Sequence, residues 1–234
     1  MNWKEIYSNQ AENRFYFQGK PLFKEYKSIL KFHAPGIAPV EDETGWYHIN
    51  ILGEPIYNER YKRVFGYYDG LSTVTDFDGN CFHINANGQR VYTENYAFCG
   101  NFQEEKCVVR DFSNNYFHID KNGNRIYPEN YKYVGDFKDG FACVKLSNGH
   151  YKHIDSKGKF LNDKEFLDLG IFHKSFATAK DEYGWFHIDT KGNAIYKERY
   201  LIIEPFYNGF ALVTDHDNKK LVISETGIII LHID

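Results

Sequence analysis

The sequence predicts an all-β fold built from about six copies of one unit of about 35 residues. First, a short phrase, His-Ile-Asn or His-Ile-Asp, recurs along the chain at steps of 35, 35, 35 and 34 residues. Second, aromatic residues make up 18% of the 234 residues, and flat rings pack well on the pleated surface of a sheet. Third, apolar and polar residues alternate with period two between turn sequences. These observations favour repeated small sheets.

The first predicted element is a short amphipathic helix over residues 1–13, with Trp3, Ile6 and Tyr7 on one side. It would cap one end of the structure or contact a partner. Residues 14–234 are predicted to form a single repeat domain. The polar N-terminal sequence shows no apolar signal core, and the longest later apolar run, Gly-Ile-Ile-Ile-Leu-His-Ile, is too short to cross a bilayer.

Each unit divides into four segments, which predict four short strands. The first reads Gly-Phe-Ala-x-Val, as at 140–144, and the second carries the His-Ile phrase. A turn such as Asp120-Lys-Asn-Gly123 leads into the third segment, because Asp accepts backbone hydrogen bonds there and Gly adopts positive φ. The fourth reads Tyr-x-x-Val-x-x-Phe, as at 131–137; seven residues are too few for a stable helix, so we expect a strand with an irregular approach.

The segments do not occur in equal numbers. The second and third occur seven times in the chain, and the first and fourth six times. The surplus half-unit is interpreted as a split blade, an end cap or a join to a further domain.

Apolar residues occupy both faces of a predicted strand, which indicates that each sheet lies between two neighbours. Phe186 and Ile188 share one face, and Trp185 and His187 share the other. This favours a β-propeller of about six blades, and an open solenoid of β-hairpins is the alternative. Because the final segment at 227–234 is strongly apolar, we expect ring closure by its pairing with an early strand at 14–18.

The best-defined unit, residues 130–158, resembles the bacterial WG-repeat family. The shared pattern runs from a Tyr-containing motif through Phe-x-x-Gly-Phe-Ala-x-Val to an aromatic-Ile-Asp hairpin, over roughly residues 14–234. This chain departs from the family by placing His directly before Ile, where the family has Trp-Gly ahead of the aromatic residue. The resemblance implies a non-catalytic binding or accessory module, of the kind often joined to other domains in a larger bacterial protein.

Two sets of repeat-equivalent residues are candidates for ligand binding. The first set consists of aromatic residues. One interpretation is a ladder of rings that binds sugars or peptide, and packing between units is the alternative. The histidines of the second set either contact a ligand or bond a turn or a neighbouring backbone carbonyl; a metal would need their nitrogens within about 2.1 Å of one ion. The sets are Trp46, Tyr116, Tyr151 and Trp185, and His48, His83, His118, His153 and His187.

Charge and motifs exclude several function classes. The formal net charge of −4 with scattered signs leaves no basic block for nucleic acid or an anionic membrane. No nucleophile, phosphate-loop or dinucleotide motif occurs, so we expect neither a cofactor nor a catalytic residue, and Asp76-Phe-Asp-Gly-Asn80 reads as a turn that lacks the remaining calcium ligands. The four cysteines show no Cys-x-x-Cys spacing; Cys99 reads as a small core residue, and a reduced, cytoplasmic setting fits.

The function that these observations favour is a non-catalytic repeat module that binds another protein or a fused domain. A carbohydrate or small-ligand binder that uses the aromatic set is the alternative. A third hypothesis is an enzyme whose site lies in the mouth of a propeller.

Overall fold

The computed structural model describes residues 1–233, and their strands form seven small sheets. The predicted all-β class is confirmed. The single helical segment in these residues is a three-residue 3-10 turn, Trp3–Glu5, so none of them forms a helix able to span a membrane. The chain divides into two compact units, one of residues 1–114 with 118–125, the other of residues 115–117 with 126 onwards.

The sheets are numbered 1 to 7 along the chain, and within each the strands neighbour one another in chain order. The first four comprise β1 (Tyr7–Asn9), β2 (Arg14–Phe17) and β3 (Lys20–Leu22); β4 (Ser28–Ile29), β5 (Ala38–Asp42) and β6 (Gly45–Ile49); β7 (Arg63–Tyr68), β8 (Leu71–Thr75) and β9 (Cys81–Asn85); and β10 (Phe98–Cys99), β11 (Lys106–Arg110) and β12 (Tyr116–Asp120). The last three comprise β13 (Tyr133–Val134), β14 (Phe141–Lys145) and β15 (Tyr151–Asp155); β16 (Asp168–Leu169), β17 (Ala177–Asp181) and β18 (Gly184–Ile188); and β19 (Ile202–Ile203), β20 (Phe210–Thr214), β21 (Lys220–Ser224) and β22 (Ile229–Ile233).

The expectation of about six units is wrong for residues 1–233, which form seven sheets. The surplus half-unit of the sequence becomes sheet 1, because β1 pairs antiparallel with β2 and supplies the missing strand. Phe15 of β2 is fully buried against the ring of Phe32, so sheet 1 packs as the later sheets do.

The predicted helix over residues 1–13 is also wrong. The segment holds the 3-10 turn Trp3–Glu5 and strand β1. The Asn9 side chain accepts hydrogen bonds from the backbone N–H groups of Ala11 and Glu12, at 3.2 and 3.3 Å, and so fixes a turn where a helix would have to continue. Thirteen residues are in any case marginal for a helix with little packing.

The predicted four-stranded unit is wrong for sheets 1 to 6, which have three strands each. The fourth segment supplies the first strand, the first segment the middle strand and the second segment the third strand. The third segment runs beside that third strand without joining it as a ladder: Arg90 bridges to Ile84, and Tyr96 bridges to Cys81 at its other end.

An arginine explains why the third segment remains irregular. The Arg90 guanidinium lies 4.1 Å from the Phe82 ring and donates to the carbonyls of Tyr92, Thr93 and Glu94. Carbonyls that a strand ladder would satisfy are therefore satisfied by one side chain. In the unit of sheet 6 the guanidinium comes from Arg199, which covers the ring of Phe186 at 3.6 Å and bonds two carbonyls of its own segment.

The final apolar segment does not pair with residues 14–18 as expected. Strand β22 pairs with β21 inside sheet 7, with Leu231 opposite Val222, whereas β2 pairs with β1 and β3. Consecutive segments form a hairpin through a short turn and need no long-range closure to pair. All five residues of β22 remain exposed.

The predicted hairpin turns are confirmed in detail. The Asp120 carboxylate accepts from the backbone N–H groups of Asn122 and Asn124, both at 2.9 Å, and Gly123 has φ +83°. These turns also touch the preceding unit: a Cβ added at Gly158 would lie 2.6 Å from the Cβ of Tyr127. Glycine is required there both for its φ and for the close approach.

A pair of glycine variants separates the two requirements. In Gly149→Ala the added Cβ has no atom within 4 Å, so the only cost is that alanine must adopt the positive φ of this position. We therefore expect the free energy of unfolding to fall by about 1 kcal/mol. Gly158→Ala must in addition displace Tyr127, and we expect a further loss of about 1–3 kcal/mol. Urea unfolding of both purified variants measures the difference.

The two residues have similar φ values, +91° and +79°, so the backbone contribution is matched. Equal losses of stability in the two variants would show that contact between successive units does not depend on this glycine.

Candidate functional site

The five repeat-equivalent histidines all lie in the third strand of a sheet and all are buried. None of the five side chains is more than 3% exposed. They are His48, His83, His118, His153 and His187.

In four of the five histidines, His48, His83, His153 and His187, one ring nitrogen reaches the following unit. The Nε2 atom of His48 lies 2.8 Å from the carbonyl oxygen of Phe65, and that of His187 lies 2.9 Å from the carbonyl oxygen of Glu204. His83 and His153 make the same contact with a glycine carbonyl, at 3.0 and 2.8 Å. Because a carbonyl can only accept, Nε2 must carry the proton and donate.

The other ring nitrogen is bonded within the same unit. Nδ1 of His48 lies 2.5 Å from the Tyr57 hydroxyl, and Nδ1 of His187 lies 2.5 Å from the Tyr196 hydroxyl. With Nε2 protonated, a neutral ring accepts the tyrosine hydrogen at Nδ1. In the unit of His153 the tyrosine position is Asn162, whose amide donates instead to the carbonyl of Lys191 at 3.0 Å.

An aromatic residue of the following unit covers the rings of His48, His83, His153 and His187. Phe206 stacks on His187 with 3.8 Å between ring centroids and 23° between planes, and Phe172 lies 4.4 Å from His153. The fourth segment of the sequence therefore supplies the aromatic residue that seals the histidine of the preceding sheet.

Burial holds the histidines neutral. It lowers the pKa of His48, His83, His153 and His187 to about 4. The hydrogen bond to the backbone carbonyl acts in the opposite direction and does not offset burial. Neutral, buried and bonded at Nε2, these rings connect successive sheets and are not presented to a ligand.

Metal binding finds no support in this arrangement. Among residues 1–233 there is no group of three or more His, Cys, Asp or Glu side chains that could hold a metal ion. Each described histidine contact is directed at a tyrosine, a backbone carbonyl or a neighbouring hydroxyl or thiol.

The aromatic set is packed between and along the sheets. Cationic groups lie near three of the four rings, at 4.5, 5.0 and 5.6 Å from their centroids, and the fourth ring lies 6.1 Å from another tyrosine ring. Trp46 is buried, and the other three rings are partly exposed. The structure therefore leaves limited ring area for a stacked sugar. The pairs are Trp46 with Arg63, Tyr151 with Lys145, Trp185 with Lys180 and Tyr116 with Tyr133.

Sheet 7 changes this pattern on the face that carries the histidine in earlier sheets. Val222 occupies the histidine position, and Leu231 occupies the tyrosine position. Val222 lies between Leu212 on one side and Leu231 on the other, so a row of three aliphatic residues replaces a hydrogen-bonded group. We name this surface the outer face; its apolar residues are Ile202, Phe210, Leu212, Val222, Leu231 and Ile233.

The outer face is open to solvent. Ile202 is 61% exposed and Leu231 is 55% exposed, and Phe210 and Ile233 are also exposed. The opposite face of sheet 7 belongs to the core, with Ala211, Val213, Leu221 and Ile223 all buried. From its apolar composition, the segment at 227–234 was expected to be buried by pairing with another strand. The sequence signal for an exposed surface is the loss of the histidine at position 222 and of the tyrosine at position 231.

Comparison with known proteins shows the fold but not a family. No family model and no curated protein matches the chain. Among solved structures, the computationally designed protein Ika8 has a TM-score of 0.53 at 11% identity, covering 98% of this chain and 84% of its own. BamB from Moraxella catarrhalis (TM-score 0.51, 12% identity) covers 94% of this chain and 76% of its own. KlHsv2 with its loop 6CD replaced by a Gly-Ser linker has a TM-score of 0.51 at 9% identity. That match covers 91% of this chain and 86% of the KlHsv2 chain.

BamB and Hsv2 are β-propellers, so the repeated sheets of this chain are propeller-like in fold. Identities this low carry no information on ligand or partner.

The buried histidines predict a steep loss of stability in acid. The unfolded chain takes up a proton at each histidine near pH 6.5, whereas the folded protein does so only near pH 4. The free energy of unfolding is therefore highest above pH 6.5 and falls as the pH drops toward 4, by about 1.4 kcal/mol per pH unit for each histidine. Urea unfolding between pH 7.5 and 4.5 measures this.

Two variants assign the effect. In His187→Val, which copies the residue found at 222, the slope of stability against pH should decrease by one proton. The control is the exposed Leu52, changed to Ala; it carries no titratable group and should leave the slope unaltered. A wild-type stability that is flat between pH 6.5 and 4.5 would contradict the proposed role of the histidines.

Proposed function

We propose that the protein is a non-catalytic, propeller-type repeat module that binds a protein through the outer face of sheet 7. The observation that carries this is the outer face itself: six apolar residues share one side of a four-stranded sheet, with no buried polar group among them. An exposed apolar surface of this extent on a folded protein is typical of an interaction site.

The remaining repeat features support binding more than catalysis. The histidines that recur in sheets 2 to 6 are buried, and His48 and His187 are held in hydrogen bonds that join successive sheets. A general acid or base has to reach a substrate and needs a pKa near the working pH. Burial instead lowers the pKa of His48 and His187 to about 4.

The chemistry of the outer face indicates the kind of partner. Lys220 is the charged residue among its β-strand positions, and it lies at the end beside Ile233, where its long side chain can extend to solvent. The partner should therefore present an apolar surface. The resemblance to WG repeats leads to the same proposal of an accessory or regulatory module.

Matched baits test the proposal. Wild-type protein and Leu231→Lys, immobilised at equal density, are exposed to a native lysate that also contains an untagged copy of the chain. We expect at least one polypeptide, identified by mass spectrometry, to bind wild type and to be lost from Leu231→Lys, because a lysine in the apolar surface would have to be desolvated. Rebinding with the purified polypeptide confirms it.

The control bait is Tyr183→Lys, which adds the same charge at a residue that is 69% exposed on the turn of sheet 6. It should retain the same polypeptides as wild type. Identical sets on all three baits would contradict an interaction through the outer face.

A further inference from the structure

We infer that the partner of the outer face is a second copy of this chain, with the two outer faces packed against each other about a twofold axis. This inference rests on the proposed function and names its partner. It is carried by three properties of the described residues: the place of this face in the repeat, the replacement of the histidine and tyrosine positions by Val222 and Leu231, and the polarity of the exposed face of sheet 1.

The outer face continues an interface that the chain already uses. In sheets 2, 3, 5 and 6 the same face lies against the following unit, through the histidine hydrogen bond and the aromatic residue that covers the ring. Sheet packing is therefore the established mode of contact for this face. On sheet 7 the corresponding positions are exposed, with Leu231 at 55%.

A further unit of the same kind does not fit this face. Each following unit presents a backbone carbonyl that the histidine Nε2 satisfies, as the carbonyl of Glu204 is satisfied by His187. Val222 has no donor, so a carbonyl buried against it would lose its hydrogen bond. The occupant must instead present an apolar surface, and the outer face of a second copy is one.

The opposite end of the chain does not match the outer face. In sheet 1 the exposed face carries Tyr7, Tyr16 and Arg14, which lie opposite one another or two residues apart in the paired strands. The Arg14 guanidinium is paired with Glu25 at 2.6 Å, and the Tyr16 hydroxyl bonds Glu12. Head-to-tail contact would desolvate these groups against aliphatic side chains. Face-to-face contact avoids this, and a twofold axis makes one face complementary to itself.

The area is sufficient for a reversible dimer. Four of the six apolar residues are 41–61% exposed and the other two are partly exposed. Together they offer on the order of 500 Å² per copy, or about 1,000 Å² for a pair. This is near the lower limit for a specific interface, so we expect a dimer that dissociates in the micromolar range.

Sedimentation velocity and light scattering from low to high micromolar concentration test the inference. Wild type should pass from the mass of one chain to the mass of two and no further. Leu231→Lys and Ile202→Lys, which alter opposite edges of the outer face, should each raise the dissociation constant by more than about tenfold. Circular dichroism and urea unfolding establish that each variant is folded.

Two controls locate the contact. Tyr183→Lys should dimerise as wild type does. Tyr7→Lys, on the exposed face of sheet 1, should also dimerise; if it dissociates the assembly, or if the mass of wild type keeps growing with concentration, the contact is head to tail and the inference is wrong.

A wild-type protein that is still monomeric at high micromolar concentration would overturn the inference, whatever the matched baits retain. If the matched baits still retain another polypeptide through the outer face, the proposed function stands with a different partner. If the baits retain no polypeptide through the outer face, the proposed function and the inference are both wrong.

Discussion

The structure depends on the neutrality of a buried histidine. Four of the five rings donate at Nε2 to a carbonyl of the following unit. In sheets 2, 3 and 6 the Nδ1 atom faces a tyrosine hydroxyl of the same unit. A charged ring could not accept at Nδ1 and would lose its hydration without a compensating anion. The regular repeat spacing is consistent with this requirement, because the accepting carbonyl lies 17 residues after the histidine in all four of these contacts.

The same requirement explains where function can lie. The histidine of a unit bonds the following unit, the tyrosine bonds that histidine, and an aromatic residue of the following unit covers the ring, so few recurring polar groups are left for chemistry. Positions that depart from the repeat are therefore the informative ones. Asn162 replaces a tyrosine and bonds the next hairpin, whereas Val222 and Leu231 remove the hydrogen-bonding groups altogether and leave an aliphatic surface exposed.

Much of the fold could be predicted because it is local. The His-Ile phrase and the Asp-x-x-Gly turn indicate strand, hairpin and face without knowledge of distant contacts. In sheet 1 a strand was expected at 14–18, but its partner β1 was missed because β1 lies in a segment with helix-like spacing and the hairpin lacks both signals. The arginines that keep the third segment irregular act through carbonyls two to four residues away, which periodicity does not reveal. For β22, apolarity predicted burial, but exposure depends on which surface lies opposite, and sequence does not encode that directly.

The most direct test of the histidine contact is the protonation state of the rings, read from ¹⁵N chemical shifts and one-bond ¹⁵N–¹H couplings of histidine-labelled protein. At neutral pH, His48, His83 and His187 should each show a protonated Nε2 and an unprotonated, hydrogen-bonded Nδ1, unchanged down to pH 5. Rings protonated at Nδ1, or rings that titrate near pH 6.5 in the folded protein, would contradict the account.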